Sequence, residues 1–145
     1  MPKVQFLVWK DDYSVGVEIL DRQHKRIFDT INTYYNSMLD VCPREMVLKT
    51  LKSLREYTHI HFQEEERLMK LHRYPGFSEQ QAAHAHLMRE TEDLIGQYYL
   101  STADLSHDLF RFLKQWWTNH IVAMDRKYMP YLLEPPKKIT DEGTP

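Results

Sequence analysis

Four pairs or singles of metal-binding side chains stand out in the chain: His24, His61 with Glu65, Gln80 with His84, and His120 with Asp125. Residues four apart on an α-helix share one face about one turn apart, so His61 and Glu65 present imidazole and carboxylate together, and Gln80 and His84 repeat that spacing. His120 and Asp125 are five apart, which a regular helix does not bring to one face; one side chain must reach sideways or the helix must bend. A carboxylate buried without a partner costs several kcal/mol or changes its protonation. Four imidazoles and two carboxylates together suit borderline ions such as iron or manganese, with zinc as a contender. A lone histidine in a helical seam is ordinarily a hydrogen-bonded core residue, but four at one level with two acids exceed what a core network needs, and a metal cage is the stronger reading.

These residues can meet only if the chain folds into antiparallel helices. Glycine and proline punctuate a sequence most strongly; here they leave three long stretches, 17–42, 44–74 and 77–129. Ser101-Thr102-Ala103-Asp104 reads as a helix N-cap with an acid in the first turn and divides the last stretch in two. Apolar residues recur at three and four, as in Leu20, His24, Ile27, Ile31 and in Leu105, Leu109, Phe112, Trp116, His120. The expected fold is all-α: an up-down-up-down antiparallel four-helix bundle with an N-terminal non-helical arm. In that topology His24 lies near the start of the first helix, His61 and Glu65 near the end of the second, Gln80 and His84 at the start of the third, and His120 and Asp125 near the end of the fourth. All four sets fall at one end of the bundle. We expect a single domain over residues 1–134, with the arm over 1–18, anchored by Trp9 and Tyr13, the bundle over about 19–131, and a flexible tail over 135–145.

Composition agrees with such a domain and narrows the function. With 145 residues and 42% apolar content the chain builds one core unaided. Nineteen basic and 21 acidic residues, a formal net charge of −2, provide no electrostatic footprint for nucleic acid or an anionic membrane. One cysteine, Cys42, excludes an internal disulfide and a cysteine-cluster metal site and fits a reducing cytoplasm. The apolar run Phe6–Trp9 is too short for a signal-peptide core, and nothing approaches a membrane span. Signatures for c-type haem, zinc proteases, phosphate loops and dinucleotides are absent. His59, His72, His86 and His107 are expected at the surface, and Trp116-Trp117 as core filling.

The blocks Trp9…Val15-Gly16-Val17-Glu18-Ile19-Leu20-Asp21-Arg22-Gln23-His24, His61-Phe62-x-x-Glu65-Glu66-x-x-Met69, Tyr74-Pro75 and His120-Ile121-x-x-x-Asp125, in that order, resemble the bacterial branch of the hemerythrins, non-haem di-iron proteins that bind dioxygen. The resemblance runs from about Trp9 to Tyr131 and implies two iron ions bridged by Glu65 and Asp125. His24 and His61 would hold the iron with an open position for oxygen, and His84 and His120 the second iron. The family supplies a third histidine four residues before the one matching His84, and here that position is Gln80. Its amide oxygen could ligate iron, water could complete the site, or the position could stay open. Phe28, Phe62, Trp116, Ile121 and Met124 are candidates for a dry oxygen pocket.

The resemblance implies reversible dioxygen binding by a carrier, store or scavenger, re-reduced by an unidentified donor and present as a monomer or weak oligomer in the cytoplasm. The alternative is a hemerythrin-fold di-iron enzyme or redox sensor that reduces oxygen, peroxide or nitric oxide because Gln80 alters the second iron; weak oxidase or peroxidase activity belongs to that reading. Hemerythrin domains can regulate an attached output domain, and none is expected here. A ferritin-like carboxylate site would use Glu-x-x-His twice. Glu56-x-x-His59 and Asp21-x-x-His24 have that form or nearly so, but only the second places its histidine in a seam.

Overall fold

The computed structural model describes residues 6–39 and 43–135, with the side chains of residues 117 and 118 outside that description. Cys42, the Trp117 side chain and the tail expected beyond Pro135 therefore lie outside the described residues. Four long helical segments form the bundle: α1 over Glu18–Met38, α2 over Arg44–Leu71, α3 over Phe77–Leu100, and a fourth that starts as α4 over Ser106–Gln115. The fourth continues as a π-helix over Trp116–Met124 and a 3-10 turn over Asp125–Tyr128, and ends in a single α-turn, α5, over Met129–Leu132. Neighbours in sequence pack as neighbours in space, α1 on α2 and α2 on α3, and α4 closes the bundle against α1 and α2. This is the expected antiparallel up-down-up-down arrangement.

The main difference from the sequence reading lies in the fourth helix, which is not one regular α-helix. A second difference is its start. Ser101 ends α3, and its hydroxyl accepts from the Ala103 N–H at 2.8 Å. The helix begins five residues later, where the Asp104 carboxylate takes the Ser106 N–H at 2.9 Å. That bond holds the Asp104 carboxyl below its ordinary range. The acid, rather than the serine, satisfies a free amide at the helix start.

The arm is tied down at several points and contains one 3-10 turn, Asp11–Tyr13. Leu7 is buried, and its peptide group exchanges two hydrogen bonds of 2.7 Å with the Asn32 side chain on α1. Trp9 and Tyr13 both pack their rings on Phe28, with centroids 5.5 Å away in each case. Asp21 then receives the end of the arm, accepting the Val15 N–H at 2.9 Å and the Ser14 hydroxyl at 2.5 Å. Gly16 makes the intervening bend at φ +78°, a left-handed backbone that favours glycine, and a Cβ there would also push the Leu133 side chain aside.

The interior is layered. A large apolar cluster built on Ile27, Ile31, Leu51, Leu54, Leu109 and Leu113 fills most of the bundle. A small one, made of Val15, Leu20, Met69, Tyr128 and Leu132, plugs the opposite end. Along α1 the boundary falls between Leu20 and Ile27, and along α2 before Met69. The buried histidines His24, His61, His84 and His120, with Glu65, Gln80 and Asp125, occupy that gap.

Candidate metal centre

His24, His61, Glu65, His84, His120 and Asp125 are each at most 3% exposed. Their ligand atoms form two groups in which all members lie within 4.8 Å of one another: His24, His61, Glu65 and Asp125; and Glu65, His84, His120 and Asp125. Both carboxylates belong to both groups, and each divides its oxygens between them. Glu65 sets Oε2 3.3 Å from His61 Nε2 and 3.6 Å from His24 Nε2, and Oε1 3.0 Å from His84 Nε2. Asp125 sets Oδ2 2.9 Å from His24 Nε2 and Oδ1 3.2 Å from His120 Nε2.

These approaches are close but not aligned as hydrogen bonds. The Nε2 atoms of all four histidines, Glu65 Oε1 and both Asp125 oxygens are buried without a hydrogen-bond partner among the described residues. Buried polar groups normally have partners. Seven orphaned donor atoms converging at one level are what two cations of borderline character would satisfy, so the residues fit a pair of metal ions.

The far sides of two of the rings are held. His61 Nδ1 lies 2.7 Å from Gln23 Oε1, and His84 Nδ1 2.7 Å from Glu66 Oε2. The Glu66 carboxylate only accepts, so His84 Nδ1 carries the proton and its Nε2 turns a lone pair inward; Gln23 Oε1 facing His61 Nδ1 suits the same tautomer there. The Tyr128 hydroxyl donates to Glu65 Oε2 at 2.5 Å. Phe62 stacks on the His84 ring at 3.8 Å, nearly parallel, and on Trp116 at 5.6 Å, and Trp116 meets His120 edge-on at 5.2 Å. Ile121 is fully buried, Met124 half-buried, and Phe28 lies under the arm. His59, His86 and His107 are exposed as expected; His72 instead is half-buried, with Nδ1 shielded in the turn after α2.

Gln23, Glu66 and Tyr128 contact the candidate ligands and carried no site signal in the sequence. Gln23 and Glu66 each follow or precede a recognised ligand by one residue, which on a helix points them about 100° away. They act on a histidine of a neighbouring helix, so spacing along the chain carries no signal for them. Tyr128 follows the seam of the fourth helix and reads as core.

The electrostatics reflect charges packed without water. Burial opposes protonation of His24, but the close Asp125 and Glu65 carboxylates outweigh it and raise its pKa to about 9. Burial lowers His61, and it takes His120 down to about 3. For His84 burial is outweighed by Glu65 and Glu66, and the pKa rises. Burial opposes ionisation of Glu65 too, but the surrounding histidines hold it well below the usual carboxylate range. Burial, with the Glu65 charge beside it, pushes Asp125 well above.

A four-helix bundle with two histidine groups sharing two carboxylates defines a binuclear non-haem metal protein. The hemerythrin HHE cation binding domain matches residues 15–132, and the chain belongs to the hemerythrin family. It is 31% identical over 121 residues to a bacteriohemerythrin of Methylococcus capsulatus, covering 83% of this chain and 92% of that one. A bacteriohemerythrin of Stenotrophomonas maltophilia is 30% identical over 125 residues, covering 84% and 78%. The myohemerythrin of Riftia pachyptila is 29% identical over 121 residues, covering 83% and 89%. Among solved structures, wild-type hemerythrin superposes with a TM-score of 0.79 at 30% identity, covering 89% of this chain and 99% of that chain. A single-residue hemerythrin variant gives 0.80 at the same identity. Among the described residues no helix is long and apolar enough to cross a membrane.

Proposed function

We propose that this chain binds dioxygen reversibly at a non-haem di-iron centre, as a carrier, store or scavenger and not as an enzyme. His24 and His61 would hold one iron and His84 and His120 the other, with Glu65 and Asp125 shared between the two. The observation that carries this reading is the division of each carboxylate between two histidine groups, with every inward-facing Nε2 lacking a hydrogen-bond partner among the described residues. An iron pair bound there would supply the reversible two-electron redox chemistry that dioxygen binding needs.

The protein's own contribution is positional. Gln23 and Glu66 keep the protons of His61 and His84 on Nδ1, so that Nε2 remains a donor. Tyr128 satisfies one Glu65 oxygen and keeps that carboxylate from turning. Phe62 and Trp116 wall the rings with apolar surface. Excluding water there suppresses the proton supply that would convert reversible binding into oxidation of the iron. The single cysteine is consistent with a cytoplasmic protein, one that works as a monomer or weak oligomer and relies on a separate electron donor to restore ferrous iron.

Oxygen cycling tests the proposal. Anaerobically loaded ferrous protein is exposed to oxygen and then swept with argon, while visible absorption is followed. A band that appears and disappears over repeated cycles is expected. Irreversible oxidation in the first cycle, or steady consumption of oxygen with an added reductant, would overturn the binding-protein reading.

A further inference from the structure

The surroundings of Gln80 fix how its amide points. It is 1% exposed, one turn before His84 on α3. Its Nε2 donates to the Met124 carbonyl at 3.1 Å. A carbonyl oxygen only accepts, so the NH2 end of the amide must be the end facing Met124, and the amide cannot be flipped. The other end, Oε1, is buried with no hydrogen-bond partner among the described residues. It shares that condition with the inward nitrogens of His84 and His120 and with both oxygens of Asp125. A buried amide oxygen left bare costs the full loss of its hydration, and an apolar side chain would fill the same space without that cost. Met124 is also the last residue of the π-segment, immediately before Asp125. The strut that orients Gln80 is thus continuous with the backbone that carries His120 and Asp125.

We infer that Gln80 is a metal ligand, its amide oxygen Oε1 completing the His84–His120 side of the pair. This inference rests on the di-iron reading above and deepens it. The two sides of the centre then differ in chemistry. The first has two imidazoles and the shared carboxylates; the second adds a neutral oxygen donor in place of a third nitrogen. An amide oxygen is harder than imidazole and favours iron(II) or manganese(II) over zinc relative to a histidine in the same position.

Cobalt(II) and zinc(II) titrations of the metal-free chain test this without relying on oxygen chemistry. The parent should take up two cobalt ions. Gln80→Leu should keep the first ion and weaken the second by at least about tenfold, and Gln80→His should keep both with a shifted cobalt spectrum as nitrogen replaces oxygen. Because Gln80→Leu could fail to fold, the parent itself is also followed by NMR with glutamine labelled at Cδ. The Gln80 carbonyl resonance should move as the second equivalent of zinc is added. An unmoved resonance, or a Gln80→Leu chain that binds both cobalt ions as the parent does, would overturn the inference and leave water in that position. A parent that takes up no metal would overturn the di-iron reading itself, before any variant is made.

Discussion

The Asp125 peptide N–H donates to the His120 carbonyl five residues earlier. In a regular α-helix, residues five apart are rotated by roughly 140°. The wider π-turn over Trp116–Met124 removes most of that offset, and both side chains reach the same buried layer. Wide turns of this kind are rare and often mark functional sites. Here the turn has an identifiable purpose, because it delivers an imidazole and a shared carboxylate from one helix.

Loading should release protons, because His24 in the metal-free chain has its pKa raised to about 9 and Asp125 is pushed well above its ordinary range. At neutral pH an incoming cation displaces these protons, so metal affinity should climb between about pH 6 and about pH 9. A pH-indicator assay during anaerobic ferrous loading in weak buffer should record acid release. Loading without it would contradict the placement of His24 between the two carboxylates.

Stability of the metal-free chain should fall on both sides of neutrality. His24 is raised above its unfolded value near 6.5, so its contribution is full below that pH and is lost as pH rises through about 9. His120 is lowered to about 3, so the unfolded chain binds the extra proton and stability drops as pH falls from 6.5 toward 3. Thermal unfolding across pH should show a maximum near neutrality without metal, and a flatter alkaline limb with it. An alkaline limb unchanged by metal would count against His24 as a ligand.

Tyr128→Phe removes the donor to Glu65 while keeping the ring. Hydrogen bonds to charged groups contribute about 1.5–3 kcal/mol, which for a chain of this size corresponds to a melting temperature lower by roughly 5–10 °C. Calorimetry of the metal-free variant checks it. Gln23→Leu should leave melting closer to the parent but weaken metal binding by about 10–100-fold, because His61 loses the partner that fixes its tautomer. Equal affinity in a cobalt titration would show that His61 needs no such support.

Phe62 lies flat on the His84 ring. Replacing it with glutamine should admit water and shorten the lifetime of the oxygenated protein by about tenfold, whereas leucine should preserve it more nearly. Stopped-flow spectra followed by slow bleaching measure both. Indistinguishable lifetimes would mean that dryness at this wall does not govern oxidation.

Much of the centre was legible along the chain because its ligands obey helical spacing. His61 and Glu65, and Gln80 and His84, announce a shared face, and the antiparallel order brings the four sets to one end. What could not be read there was what depends on helix geometry or on a neighbouring helix. The five-residue step from His120 to Asp125 signalled a distortion without revealing that nine residues would adopt π geometry. Gln23 and Glu66 act across helices, and the Gln80 amide is oriented by a backbone carbonyl 44 positions away. The start of α4 was misplaced because Ser101 and Asp104 are both good caps, and only the fold shows that Ser101 accepts the Ala103 N–H while Asp104 accepts that of Ser106, at the helix start.

Iron per chain, with the magnetic coupling between the ions, bears most directly on the central claim. Protein loaded anaerobically with ferrous iron, desalted and analysed for metal should contain two irons per folded chain. Mössbauer and electron paramagnetic resonance spectra of the oxidised form should show a coupled pair, since Glu65 and Asp125 each face both sites. One iron or none in a chain that keeps its helical signal, or two irons that behave independently, would contradict a bridged centre and with it the oxygen-binding reading.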